Sequence, residues 1–274
     1  MMNVKWALRR INIGKNLPAS SLVLEVGSGG NPFPRSNVLV DAHEETQERH
    51  WDELIADRPT ILTHAEDLPF KDKAFDFVIA SHVLEHSAYP EKFLSELQRV
   101  ARAGYIETPD AFMERINPYK DHRLEVTVRD QVLVISKKST WLVDSELVEL
   151  YEKEAKSVIT KHSIPAYPNE FHVCFWWEDT IDFVLTNPDV DATWQPIESS
   201  QNLLVSRGFR SNLRQALLKI FRLAFSQNRR NKEFDILKIM RCPVCKSDSL
   251  SELSRAKIVA VKNVSHSLYA MGIC

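Results

Sequence analysis

One run constrains this chain more than any other: LVLEVGSGGNPFP, from Leu22 to Pro34. Its apolar start, Leu22 to Val26, has the length and composition of a buried strand and carries one acid, Glu25. It breaks into a turn holding Gly27, Gly29 and Gly30. Glycine takes positive φ without steric cost and lets a backbone come close to a ligand. A strand that feeds such a turn is where an open parallel α/β sheet binds a nucleotide-like cofactor.

The same rhythm continues down the chain. Val38-Leu39-Val40 is a second strand ending at Asp41, and only 11 residues, including Pro32 and Pro34, separate Gly29 from Asp41. A dinucleotide-binding unit has a full helix here and its acid about 20 residues on, so a loop or a clipped helix joins these two strands. Trp51–Asp57 reads as a short helix stopped by Pro59, and Ile61–Thr63 as a third strand. Phe75–Ala80 (FDFVIA) is a fourth, apolar enough for a sheet centre. Pro90–Ala101 is an amphipathic helix with Phe93, Leu94, Leu97 and Val100 on one stripe. Gly104 reads as its end, and Tyr105–Glu107 as a fifth strand closed by Pro109. The alternation predicts an α/β fold, a doubly wound and mostly parallel sheet with a shortened first helix. From Asp110 the pattern turns irregular. Val126–Ile135 alternates like strand, Ser145–Ala155 is helical in pattern, and Phe171–Trp177 is an aromatic strand. We expect one α/β domain over 1–206, with substrate-facing insertions from about 110.

The set of glycine turn, acid after strand two, Ala-Glu-Asp-Leu-Pro-Phe loop and FDFVIASHVLEH resembles the class I S-adenosylmethionine-dependent methyltransferases. The likeness is to the branch whose fourth strand reads FD-x-V followed by H-V-L-E-H, and it covers roughly Leu22 to Pro109. It implies a Rossmann-like fold, S-adenosyl-L-methionine as cofactor and methyl transfer by in-line displacement. It also implies roles by position. Gly27, Ser28 and Gly29 would let the backbone approach the methionine part of the cofactor, with Glu25 bracing that loop or reaching the amino group. Asp41 would accept from both ribose hydroxyls. Ala65 and Glu66 would border the adenine. Ser81 and His82 would close over the methionine side and face the acceptor. The third glycine position of the family holds Asn31, and the position before Ala65 holds His64.

Where an oxygen or nitrogen acceptor needs a base near neutral pH, which the sequence leaves open, the candidates are His82, His86, Glu107 and His122. Each has a plainer reading. His86 suits a helix start or a packing position, Glu107 the cap of a turn or a partnership with Arg123, and the pair Trp176-Trp177 the core or a strand edge. The implied acceptor is a small molecule, a sugar or a lipid-linked compound. Two other functions compete: a non-catalytic binding module derived from the same sheet, and a nicotinamide-dependent oxidoreductase, which would need a complete GxGxxG and a full first helix.

Charge is unevenly spread. The net charge is −2, yet between Arg207 and Lys232 stand eight Lys or Arg and no Asp or Glu. Within that stretch Phe209, Leu213, Leu217, Ile220 and Ala224 share one helical stripe. We expect an amphipathic linker helix over 207–235, either packed on the domain or lying at the surface of a membrane. Nucleic acid is not an expected partner, because no aromatic-rich basic surface accompanies the segment. Residues 236–274 contain the knuckle Cys242-Pro-Val-Cys245, while Val261 to Val264 stand where a zinc ribbon would carry its second pair. The tail is read as a degenerate ribbon with an incomplete metal site at Cys242 and Cys245, and no bound metal is expected. The thiol usage and the lack of an apolar run near the roughly 20 residues of a membrane span lead us to expect a cytoplasmic protein, peripheral to the membrane if the basic helix engages one. The sequence leaves the oligomeric state open.

Overall fold

The sheet is built as the alternation predicts. In a computed structural model of the chain, residues 12–13, 16–46, 49, 53–196, 235–243 and 246–247 are described, together with the backbone of 259–260. β1 (Val23–Val26), β2 (Val38–Asp41), β3 (Thr60–Leu62) and β4 (Phe75–Ser81) run parallel. β5 (Ala101–Pro109) joins them beside β4. The strand order is β10-β3-β2-β1-β4-β5-β8, where β8 (His172–Glu178) pairs antiparallel with β5 and β10 is Val259–Ala260. β1, with every residue buried, is flanked on both sides, which is why it reads as an unbroken apolar run except for Glu25. This is a Rossmann-like α/β fold in which the strand order reverses at β1, the place where open sheets take ligands.

The link from β1 to β2 contains no helix at all. Residues 27–37 form turns instead, consistent with two prolines in a short crossover. Glu53–Asp57, the described part of the helix expected at Trp51–Asp57, is not helical either. Ile55 N–H donates to the Gly29 carbonyl at 3.1 Å, so tertiary pairing with the glycine turn takes the backbone group that a local helix would have used.

α1 (Pro90–Val100) buries Phe93, Leu94, Leu97 and Val100 against the sheet, with Pro90 at its first position. Here the helix ends earlier than the sequence predicts. The chain passes from Val100 directly into β5 at Ala101, and Gly104 lies inside that strand. A Cβ on Gly104 would come within 2.6 Å of Trp177 Nε1 and 2.7 Å of the Val78 carbonyl oxygen. The glycine is there because an indole crosses the strand.

The irregular half forms a second layer. After α2 (Ala111–Ile116), β6 (Leu124–Arg129) and β7 (Val132–Lys137) make a hairpin, and β9 (Phe183–Leu185) pairs with β7. The single strand expected over Val126–Ile135 is thus two strands, joined through Asp130 and Gln131 at φ 50° and 63°. Such φ values at both central positions suit the twist of a tight hairpin. α3 (Ser145–Leu150) begins a longer helical segment that reaches Ala166 through two π turns. The segment from Asp235 returns to the main sheet: Met240 is fully buried and bridges Phe70, and Arg241 N–H donates to the Pro69 carbonyl at 3.1 Å. Most of the basic stretch 207–235 and Cys245 and Cys274 lie outside the described residues. Cys242 is buried, and its backbone closes a turn with Lys246 and Ser247.

Candidate functional site

The carboxyl ends of β1, β2 and β4 gather most of the residues singled out from sequence. Gly27 and Gly29 have φ 71° and 56°, and the N–H groups of Gly27 and Ser28 both donate to the Val40 carbonyl at 2.8 and 3.1 Å. The turn is therefore sewn to β2. A Cβ on Gly27 would stand 2.7 Å from Val83 Cβ, so a residue just beyond β4 packs directly on the turn.

Glu25 is 3% exposed and accepts from Phe33 N–H at 2.8 Å and Ser36 Oγ at 2.6 Å. Of its two expected roles, these contacts correspond to bracing the loop. Asp41 faces the turn. Its Oδ2 accepts from Gly29 N–H at 2.9 Å, and its Oδ1 from His43 N–H and Arg49 Nη1, each at 3.1 Å. Arg49 also donates to the carbonyls of His43 and Glu44. Its Cδ lies 3.3 Å from where a Cβ on Gly29 would stand, so this side chain lies over the glycine turn. Ser28 Oγ is buried and, among the described residues, has no hydrogen-bond partner. Buried hydroxyls are ordinarily satisfied, and an orphan inside a glycine turn points to a polar group that completes it.

Ala65 and Glu66 lie in the loop after β3. Ala65 is buried, and Glu66 Oε1 accepts from Ser87 Oγ at 2.5 Å, tying that loop to the start of α1. The rings of His43 and His64 meet edge to face at 5.6 Å in the same quarter.

Ser81 ends β4 in register with Glu107 on β5. His82 turns out of the strand at φ 56° and donates its N–H to the Glu107 carbonyl at 2.7 Å. Its ring then sits between two acids, Nε2 3.1 Å from Glu107 Oε1 and Nδ1 3.4 Å from Glu85 Oε1. Burial alone would lower the pKa of this imidazole. Its contacts with Glu107 and Glu85 outweigh burial and raise it to about 9. The two acids thus favour the protonated form of His82, a candidate base from sequence. Glu107 is 3% exposed and also accepts from the Tyr105 hydroxyl at 2.6 Å. Its partners thus include His82 and Tyr105, while the Arg123 guanidinium reaches the carbonyls of Ala192 and Trp194. Burial and then the Glu107 charge push the Tyr105 phenol upward, keeping it protonated.

His122 does not join Glu107. It is buried beside His86, with ring centroids 4.7 Å apart, and its Nδ1 lies 2.7 Å from Glu114 Oε2. The sequence did not point to Glu85, Tyr105, Glu114 or Arg49. Glu85 had a signal, since it sits inside HVLEH, but nothing in the sequence tells that it is buried. Of the tryptophans, Trp177 is core, whereas Trp176 is half-exposed and rests on Tyr105 at 4.8 Å.

Beside Glu107 a cleft of about 650 Å³ is lined by Tyr105, Asp110, Thr127, Asn169, His172 and Trp176, among others. His172 also meets His82 edge to face at 5.5 Å. His172, which lines the cleft, thus touches the histidine at the end of β4.

Residues 24–106 match a family model described as "Methyltransferase domain", a span that holds Glu25, the glycine turn, Asp41, Ala65, Glu66 and Ser81. The Methanocaldococcus jannaschii protein MJ1123 is 34% identical over 87 residues, 30% of this chain and 40% of that protein, so the chain spans less than half of that relative. The Pyrococcus horikoshii PH0226 protein superposes with a TM-score of 0.34 at 20% identity, over 56% of this chain and 82% of that one. YcgJ of Bacillus subtilis does so with 0.32 at 15%, over 62% and 93%. Among the described residues, no helix is long and apolar enough to cross a membrane.

Proposed function

We propose that this chain is an S-adenosyl-L-methionine-dependent methyltransferase acting on a polar small molecule, a sugar or the polar part of a lipid-linked acceptor. The observation that carries the reading is the clamp of Gly29 N–H on Asp41 Oδ2 at 2.9 Å, which holds a glycine turn and a strand-end acid together at the switch point of the sheet. The matched methyltransferase-domain span supports it.

The residues fit the cofactor. Ser28 Oγ is an orphaned buried donor within the turn, and Asp41 presents carboxylate oxygens that suit the two hydroxyls of a ribose. In this reading Gly27, Ser28 and Gly29 hold the methionine part and Glu25 keeps their loop in place. Asp41 takes the ribose, Ala65 and Glu66 border the base, and Ser81 closes the methionine side. When bound, the cofactor supplies a sulfonium-activated methyl group. The protein's share is then to hold the acceptor atom in line at about 3–3.5 Å, where positioning alone supplies much of the rate. Glu107, with Tyr105 and His82 fixing its two oxygens, is joined through Tyr105 to the wall of the cleft where the acceptor is placed, and Asp110 and Glu170 are the acids that line that cleft.

One observation favours a second reading. Arg49 occupies Asp41 and lies over Gly29, as it would in a module that kept the sheet and lost turnover. A nicotinamide-dependent oxidoreductase is poorly supported, because residues 27–37 form no helix. Calorimetry with S-adenosylmethionine and S-adenosylhomocysteine separates the readings. Binding of both, followed by methyl transfer in an acceptor panel, is the expected result. No binding of either would defeat the proposal, and binding without any turnover would favour the module. The domain limits 1–206, 207–235 and 236–274 remain part of this proposal, as does a cytoplasmic or membrane-peripheral setting.

A further inference from the structure

Past His82 the chain makes one 3-10 turn, Leu84–His86, and buries a carboxylate in it. Glu85 is 1% exposed, and among the described residues neither of its side-chain oxygens has a hydrogen-bond partner. His82 Nδ1, at 3.4 Å from Oε1, offers charge without hydrogen-bond geometry. A buried carboxylate without donors is costly unless cations compensate it. The other groups around it are metal-ligand chemistry. One side-chain ligand atom each from Glu85, His86 and His122 lie within 4.8 Å of one another. Donors bound to one ion at about 2.1 Å stand roughly 3.0–3.5 Å apart, so a small inward movement of side chains closes the set.

The histidines are already oriented from behind. His122 commits Nδ1 to Glu114 Oε2 at 2.7 Å, which makes Nε2 its coordinating atom. Glu114 is itself fixed by the buried Lys138 Nζ at 2.6 Å. His86 Nδ1 lies 3.3 Å from the Asp121 carbonyl oxygen. The Tyr119 ring stacks on His122 at 4.6 Å. A carboxylate or carbonyl behind each ligating imidazole is the outer shell that metal sites use to set ring orientation. The backbone holds the two segments together as well, through Arg123 N–H to the Glu85 carbonyl at 2.7 Å.

We propose that Glu85, His86 and His122 bind a first-row divalent transition-metal ion. Two imidazoles and one carboxylate favour ions such as Zn²⁺, Mn²⁺ or Fe²⁺ over Mg²⁺ or Ca²⁺, which prefer oxygen alone. Three protein donors leave further positions open to water or to an oxygen of a bound molecule. The inference depends on these side chains alone and stands whether or not the chain transfers methyl groups. It places a metal at residues from which none was expected, and the site does not include Cys242.

The full chain, stripped with a chelator, is titrated with Mn²⁺ and with Zn²⁺ by calorimetry. We expect a single site whose affinity falls at least about tenfold in Glu85→Gln and in His122→Asn, with circular dichroism unchanged, and which survives in Cys242→Ser. Should either variant misfold, the unaltered protein still decides: bound Mn²⁺ must broaden the ring resonances of His86 and His122 before those of His162. Failure of the wild type to take up either ion would overturn the assignment. So would undiminished binding in folded Glu85→Gln and His122→Asn, loss of the site in Cys242→Ser, or unbroadened His86 and His122 rings.

Discussion

The guanidinium of Arg49 stands 3.1 Å from Asp41 Oδ1, and its stem covers Gly29 in the turn that Asp41 clamps. A ribose that takes the aspartate must therefore displace an ion pair. Both side chains are only about a tenth exposed, at 11% and 10%.

Asp41→Ala is expected to weaken S-adenosylhomocysteine binding by about 1.5–3 kcal/mol, the scale of hydrogen bonds to a charged group. Arg49→Ala should tighten it, because the ligand no longer has to displace the guanidinium from Asp41. Calorimetry on both variants reads the two signs. Weaker binding in Arg49→Ala would make the arginine a ligand-holding residue and not a competitor.

Gly27→Ala tests the turn. At φ 71° an L side chain is strained by roughly 1–2 kcal/mol, and the new Cβ would also overlap Val83 Cβ at 2.7 Å. We expect a lower urea midpoint and loss of cofactor binding. A variant that binds normally would show that the turn does not meet the ligand.

The His82 imidazole should titrate near 9 in metal-free protein, measured by NMR. Glu107→Gln should bring that value down towards the ordinary 6.5. The folded-state value lies above the unfolded one, and that fixes the sign for stability. What this group contributes is fully present below about pH 6.5 and disappears as pH rises through about 9. Because the ring is 41% exposed, solvent screening keeps the contribution small. An unshifted His82 titration would remove Glu107 and Glu85 as its partners.

Gly104→Ala tests a packing contact. Its Cβ would meet Trp177 Nε1 at 2.6 Å and the Val78 carbonyl oxygen at 2.7 Å, and backbone cannot step aside cheaply. Overpacking of this kind costs about 1–3 kcal/mol. Chemical denaturation should show that loss, and an unchanged midpoint would mean that the indole does not lie on the strand.

The parallel core was legible because its signals are local. β1, β2 and β4 are short apolar runs ended by polar turns, and α1 shows its buried stripe at helical spacing. Gly104 misled because a glycine after a helical pattern is the usual stop signal, whereas its cause is a tryptophan 73 positions away, at Trp177. The hairpin at Asp130-Gln131 was hidden for a related reason. Asp130 suits such a turn but Gln131 stands where glycine is usual, so the sequence cue was incomplete.

By itself this sequence determines a strand that must be buried, a turn that must tolerate positive φ, and an acid at the end of the next strand, since each depends on one residue's own shape or charge. Which acid meets which base is decided only by the fold. Glu107 finds His82 across the β4–β5 register, His122 is drawn to Glu114 and His86, and Glu85 is left buried among them. Those pairings join residues from separate elements, and burial, which sets their cost and their charge, exists only once the layers have closed over them.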